Sequence, residues 1–152
     1  YTVAHEEVTG WWKDTGKPED LLHGNQLILS EMRLEDALVE GEVEPGAVIQ
    51  GRVRIGKGTR VAGKSLIRGP VTIGENCSIV DSYVGPYTSI GGNVTVSKTE
   101  IEHSIVLDSA ELTSAGRLTD SLIGEHARIT GVRAGRFSGH RMVVSDHSQV
   151  EI

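Results

Sequence analysis

From Val43 onward, aliphatic residues recur at every sixth position: Val43, Ile49, Ile55, Val61, Ile67, Ile73 and Ile79. A one-residue deletion then shifts the phase, which resumes at Val84, Ile90 and Val96. The residue four places after most of these is small or modest: Ala47, Val53, Thr59, Ser65, Val71, Cys77, Thr88 and Val94. Glycine often follows the aliphatic residue directly, at Gly56, Gly74, Gly85 and Gly91. A unit with one large and one small inward position makes a short strand and a tight corner, and three such units close a triangular coil. The pattern predicts an all-β fold, a left-handed parallel β-helix, with glycine relieving the corners. Stacked coils would pair their strands in parallel and bury a continuous aliphatic column.

Beyond Val96 the step alternates between five and six residues, through Ile101, Leu107, Leu112, Leu118, Ile123 and Ile129. The matching strings Asp81-Ser82-Tyr83-Val84-Gly85 and Asp120-Ser121-Leu122-Ile123-Gly124 indicate that coils continue. Residues 131–140 read as a loop, Met142-Val143-Val144 as a strand, Asp146-His147-Ser148 as a turn and 149–152 as a last strand. Ahead of the repeat, residues 18–38 read as one α-helix. It opens on Pro18, whose missing N–H costs nothing at the first helical position, and Glu19 and Asp20 suit the positive end of the helix dipole. Leu21, Leu22, Leu27, Ile28 and Leu29 supply an apolar face that must bury against something, and Trp11 and Trp12 also need cover. The organisation is therefore an N-terminal portion, 1–38, and a β-helix domain, 39–152.

Composition adds exclusions. A net charge of −6 leaves no basic field for nucleic acid or an anionic membrane. No apolar run is long enough to span a bilayer. A single cysteine, Cys77, excludes an internal disulfide framework and fits a reducing, cytoplasmic setting. Aromatic residues make up only 4% of the chain, too little for an ordinary globular core but enough for coils stacked from aliphatic residues. The chain opens at Tyr1 with no signal-peptide pattern, which reads as a piece of a longer protein. The flat faces of a triangular prism favour self-association about a threefold axis, so a trimer is expected.

One string carries chemistry: Gly10-Trp11-Trp12-Lys13-Asp14-Thr15-Gly16, running into Leu21-Leu22 and Asn25. With the hexads, and with Ser82–Gly91, Ile101–Ile105 and Asp146–Ser148, it resembles the sugar-1-phosphate nucleotidyltransferases, most of all the long glucose-1-phosphate thymidylyltransferases that carry a C-terminal left-handed β-helix. The resemblance covers nearly the whole chain. It implies an enzyme that joins a nucleoside triphosphate to a sugar 1-phosphate and releases pyrophosphate, with Mg²⁺ as cofactor. It implies that residues 1–38 are the end of the catalytic domain, that Asp14 is one of two metal-binding aspartates, and that Trp12 walls the substrate site. It also implies that Thr15 and Gly16 form the turn beside that site. Mg²⁺ favours hard oxygen ligands, often one or two carboxylates plus substrate phosphates. The glycine-rich nucleotide loop and the second aspartate of that family have no counterpart before Asp14, so no catalytic residue is assigned within this stretch and it is expected to be inactive alone. The apolar helix face would then pack on the remainder of the catalytic domain.

Two other readings compete. Free-standing hexapeptide-repeat acyltransferases use a histidine between subunits as general base, and His103, His126, His140 and His147 are available, although each sits among polar neighbours as a solvated histidine would. Arg52, Arg54, Lys57, Arg60, Lys64 and Arg68 make the first coils locally basic, which suits either an anionic effector or a solvated face. Cys77 reads as a small buried filler. Tyr83 and Tyr87, flanking Pro86, suit a subunit contact or ordinary surface packing.

Overall fold

A computed structural model describes residues 17–131, 139–140 and 142–151. Among the described residues it is a parallel β-solenoid of about six turns with one α-helix. Seven strands form the first face: Leu38–Val39, Val53–Ile55, Val71–Ile73, Thr88–Ile90, Ile105–Val106, Leu122–Ile123 and Val143–Val144. The second face starts at Glu42–Val43 and ends at Gln149–Glu151. The third begins with Val48–Gln50, Leu66–Arg68 and Tyr83–Val84. Two longer strands, Thr95–Glu102 and Glu111–Thr119, turn a corner and serve both of these faces.

The periodic aliphatics form three vertical columns. Val43, Val61, Ile79, Val96, Leu112, Ile129 and Val150 stand in register on the second face. Ile49, Ile67, Val84, Ile101 and Leu118 do so on the third. On the first face the column is Val39, Ile55, Ile73, Ile90, Val106, Ile123 and Val144. Val106 therefore fills the place expected for Leu107. Counting in steps of five or six leaves both residues open after Ile101, and the ladder selects the shorter step. Leu107 is still buried, but with Leu21, Ile105 and Leu122 in a separate cluster outside the prism.

The small inward positions behave as the pattern requires, and their hydroxyls have a second use. Ser65, Ser82 and Thr99 stack in successive coils, and each is at most 4% exposed. The Ser82 hydroxyl donates to the Val80 carbonyl at 2.8 Å and accepts from the Thr99 backbone N–H at 3.3 Å. Ser65 receives the N–H of Ser82 and Thr99 that of Ala115 in the same way. Corner N–H groups that the strand ladder cannot reach are thus satisfied without water. Thr88 breaks the rule: its hydroxyl is buried without a hydrogen-bond partner.

Glycine acts differently from expectation. Gly56, Gly74 and Gly91 do not carry the left-handed turn; a Cβ on Gly74 would lie 2.7 Å from the Gly91 carbonyl carbon in the next coil. They permit backbone contact between coils. The left-handed corner falls two residues later, at Gly58, Asn76, Asn93, Ser109, His126 and His147 (φ between 56° and 77°). Asparagine and histidine tolerate that conformation better than most residues.

The helix is shorter than the expected 18–38. It runs Pro18–Ser30 and is followed by a 3₁₀ turn, Leu34–Asp36, and then the first strand, Leu38–Val39. The apolar spacing of Leu34 and Leu38 mimics further helical turns. Instead the Arg52 guanidinium takes up the Ser30 and Met32 carbonyls at 3.3 and 2.6 Å, satisfying acceptors that a helix end leaves unpaired. At 1.5 Å per residue the helix is about 20 Å long, enough to cross roughly four coils spaced ~4.8 Å apart. It lies along the first face: Leu21 and Leu22 pack on Ile105, Leu107 and Leu122, while Asn25 accepts from the Ser89 hydroxyl at 2.5 Å and donates to the Tyr87 carbonyl at 3.2 Å. Leu27 and Ile28, expected in the same apolar face, are 54% and 64% exposed. Of the expected loop at 131–140, Gly139–His140 instead pairs as a strand with Arg117 and Leu118; residues 132–138 lie outside the described residues.

Candidate functional site

Docking of the helix on the solenoid creates a cleft of about 370 Å³ between them, lined by Glu19, Leu22, His23, Gln26, Tyr87, His103 and Asp120. The helix supplies the first four residues and one solenoid corner the last three. The Tyr87 and His103 rings stand 5.2 Å apart at 42°. His23, His103 and Asp120 make no hydrogen bonds to one another, so they line the cleft as separate polar groups and not as an aligned acid–base pair. The spacing of His103 and Asp120 matches one coil and could have placed them together. The contribution of Glu19 and His23 depends on how the helix docks, which the sequence does not reveal.

The remaining candidates scatter. His126 and His147 lie at a different corner, with rings stacked at 4.9 Å and only 5° apart. With His103 they share positive φ angles of 51°, 57° and 61°, a backbone reason for histidine at all three places. His140 is described only as part of a strand. Half of the basic set of the first coils is engaged: Arg60 pairs with Glu44, Lys57 lies 4.0 Å from Glu40, and Arg52 holds the helix end. The Arg60 hydrogen bond holds the Glu44 carboxyl below its usual range, with a smaller contribution from the Gly63 N–H. Cys77 is a buried filler as expected, its thiol 3.0 Å from the Gly91 carbonyl, and burial pushes that thiol's pKa up. A raised pKa keeps it out of the reactive thiolate form. Tyr83 lies over Gly85, where a Cβ would meet its ring at 2.8 Å. Tyr87 faces the cleft.

No protein-family model matches the chain. It is 40% identical over 145 residues to glucose-1-phosphate thymidylyltransferase of Streptomyces antibioticus, a match that covers 95% of this chain and 39% of that protein. It is 38% identical to the low-salt glycan biosynthesis nucleotidyltransferase Agl11 of Haloferax volcanii, covering 100% and 42%. A second glucose-1-phosphate thymidylyltransferase, from Streptomyces griseus, is 35% identical, covering 99% and 41%. Over nearly its whole length the chain is similar to part of these nucleotidyltransferases. It spans about two fifths of the length of these relatives.

For a nucleotidyltransferase the informative string is Trp12 to Gly16, and it lies outside the described residues, as do Trp11 and the rest of 1–16. Asn25, at the end of that string, is described, and here it fastens the helix to the solenoid. Among the described residues no group of three or more His, Cys, Asp or Glu side chains is placed to hold a metal ion. Mg²⁺ requires near-octahedral oxygen coordination, and Asp14 alone offers one carboxylate. The described residues do not make up a Mg²⁺ site by themselves. No helix among the described residues is long and apolar enough to cross a membrane.

Proposed function

We propose that this chain is the β-helix-bearing part of a cytoplasmic nucleotidyltransferase that transfers a thymidylyl group to glucose 1-phosphate and releases pyrophosphate. The observation that carries the reading is 40% identity across 95% of the chain to a glucose-1-phosphate thymidylyltransferase. The division of labour follows from the chemistry of the residues present. The solenoid interior is aliphatic, and His23, His103 and Asp120 in the cleft beside the helix are not hydrogen-bonded to one another, so the solenoid supports the enzyme through self-association, as a trimer, or through regulation. The reaction belongs to the portion that carries Trp12 and Asp14 together with the further length its relatives possess. In that setting Asp14 supplies one carboxylate to Mg²⁺, and Trp12 forms part of the wall around the substrates.

Pyrophosphate release from deoxythymidine triphosphate and glucose 1-phosphate, followed with Mg²⁺ present, tests this. The chain alone should give no turnover above background. A protein extended to the length of the relatives should turn over, and Asp14→Asn in it should reduce kcat by at least about a hundredfold, as loss of a metal-binding charge at a phosphoryl-transfer centre does. An extended protein that acylates an amino sugar and transfers no nucleotide would sink the reading.

A further inference from the structure

The cleft between helix and solenoid has two walls that are each held in place. Glu19, Leu22, His23 and Gln26 form the helical wall, at spacings that put them on one side of the helix. Beside them, Leu21 and Leu22 pack on the solenoid, and Asn25 binds the Ser89 hydroxyl and the Tyr87 carbonyl. The facing wall is one corner of three successive coils, carrying Tyr87, His103 and Asp120. There the Tyr87 N–H donates to the Pro70 carbonyl at 2.8 Å and the His103 N–H to the Pro86 carbonyl at 3.0 Å. Leu22, Tyr87 and His103 are half-buried, while the other lining residues are exposed. The cleft thus has a floor of one aliphatic and two ring side chains with polar groups around it.

The backbone at this corner is unusual in one respect. Tyr87 has a φ of 63°, in the left-handed region, as His103 and Asp120 do at 51° and 48°. Histidine and aspartate are common there, but a bulky aromatic is an outlier. A ring kept in place against its backbone preference points to a use for the ring itself.

The lining restricts what the cleft can hold. No lysine or arginine belongs to it, whereas Glu19 and Asp120 do, so a phosphate or carboxylate ligand meets repulsion. A wholly apolar ligand would leave the polar groups of the wall without partners. An organic cation offers donors only, and so leaves the Gln26 amide N–H, the Tyr87 hydroxyl proton and the imidazole N–H groups without acceptors. A ligand bearing several hydroxyls serves both kinds of group, because each hydroxyl donates one hydrogen bond and accepts two. A volume of about 370 Å³ stands near the lower end for small-molecule sites, about 300–1,000 Å³, which suits one sugar ring better than a long oligomer. We propose that this cleft is a binding site for a neutral monosaccharide, its C–H face seated on Tyr87 and His103 and its hydroxyls shared among His23, Gln26 and Asp120. The proposal goes beyond the nucleotidyl-transfer reading and does not depend on it.

Calorimetric titration of the chain with glucose, galactose and mannose provides the test. At least one of the three should bind with a Kd of about 1 mM or tighter. Glucose 1-phosphate and putrescine, the anionic and cationic comparisons, should each bind at least about fivefold more weakly than that sugar. Asp120→Ala and His23→Ala remove exposed side chains from opposite walls. Each should weaken the sugar by at least about tenfold and leave Tm unchanged. His126→Ala, at a different corner, should leave the affinity as it is. Saturation-transfer NMR on the same samples should show the ring C–H protons of the bound sugar in contact with protein. Absence of binding by all three sugars, a preference for glucose 1-phosphate or putrescine, or equal affinity in the cleft variants and the unaltered chain would overturn the proposal. Turnover of an extended protein is a separate readout, so sugar binding without nucleotidyl transfer upholds this site while refuting that activity, and transfer without sugar binding does the reverse.

Discussion

The middle coils and the first coil are built from one repeat yet end in different states. In the middle, Ile55, Ile67, Ile79 and Ile101 are fully buried, each enclosed by the coils above and below. In the first coil, Val43 and Ile49 occupy the same columns but are only partly buried, and Val48 is 47% exposed. The sequence rule is identical; the number of neighbours differs. In a solenoid, burial belongs to the interface between coils and not to any coil by itself, so an end coil is stabilised by one interface where a middle coil has two. A free end is therefore the place where such a fold can accept another body with the least disruption.

The largest test of this contrast is truncation in the two settings. Ile79→Ala removes a fully buried side chain and should destabilise the chain by about 3 kcal/mol, within the range for aliphatic truncations in packed cores. Val48→Ala in the first coil should cost no more than about 0.5 kcal/mol. Urea denaturation of both variants checks the pair, and equal losses would erase the distinction between middle and end.

A smaller effect sharpens the description of the middle coils. Ser82→Ala deletes a hydroxyl that serves two coils at once and strands the Thr99 N–H, which should cost about 1–2 kcal/mol. Thr88→Val should do the opposite. It replaces a hydroxyl with no partner by a methyl group of like shape and should stabilise by up to about 1 kcal/mol. The same denaturation series tests the sign.

The smallest effect lies on the surface beside the first coil. Because Arg60 and the Gly63 N–H lower the pKa of Glu44 on folding, the pair's contribution is present above the pH at which the unfolded glutamate titrates. It is lost as pH falls through the lower, folded value. The pair is exposed, so Glu44→Gln should barely move Tm at pH 7, and any difference should vanish in acid. Melting curves at neutral and acid pH read this out.

The sequence made the columns legible because a period of six survives small deletions. It identified the inward positions down to Cys77, and the resemblance to nucleotidyltransferases through the hexads and the Trp12-to-Gly16 string. Three features were not legible, each for a physical reason. Leu107 and Val106 compete for one column place, and only strand register with Ile90 and Ile123 decides between them. The helix end was hidden because Leu34 and Leu38 keep an apolar rhythm, while the Arg52 side chain that takes up its terminal carbonyls arrives from a later coil. The cleft was invisible because it exists only once Asn25 meets Ser89, residues 64 positions apart. His103, singled out as a possible base, does line that cleft, beside the Tyr87 ring and not hydrogen-bonded to His23 or Asp120.

Native-state amide hydrogen exchange on this chain alone, resolved by residue, probes the contrast most directly. Amides of the middle coils, from Val61 to Leu118, should exchange slowly and together, near the free energy of global unfolding. Those of Leu38–Val39 and Val48–Gln50 should exchange much faster. Uniform protection from the first coil to the last would contradict the claim that an end coil, with one interface, is less stable than a middle coil, with two.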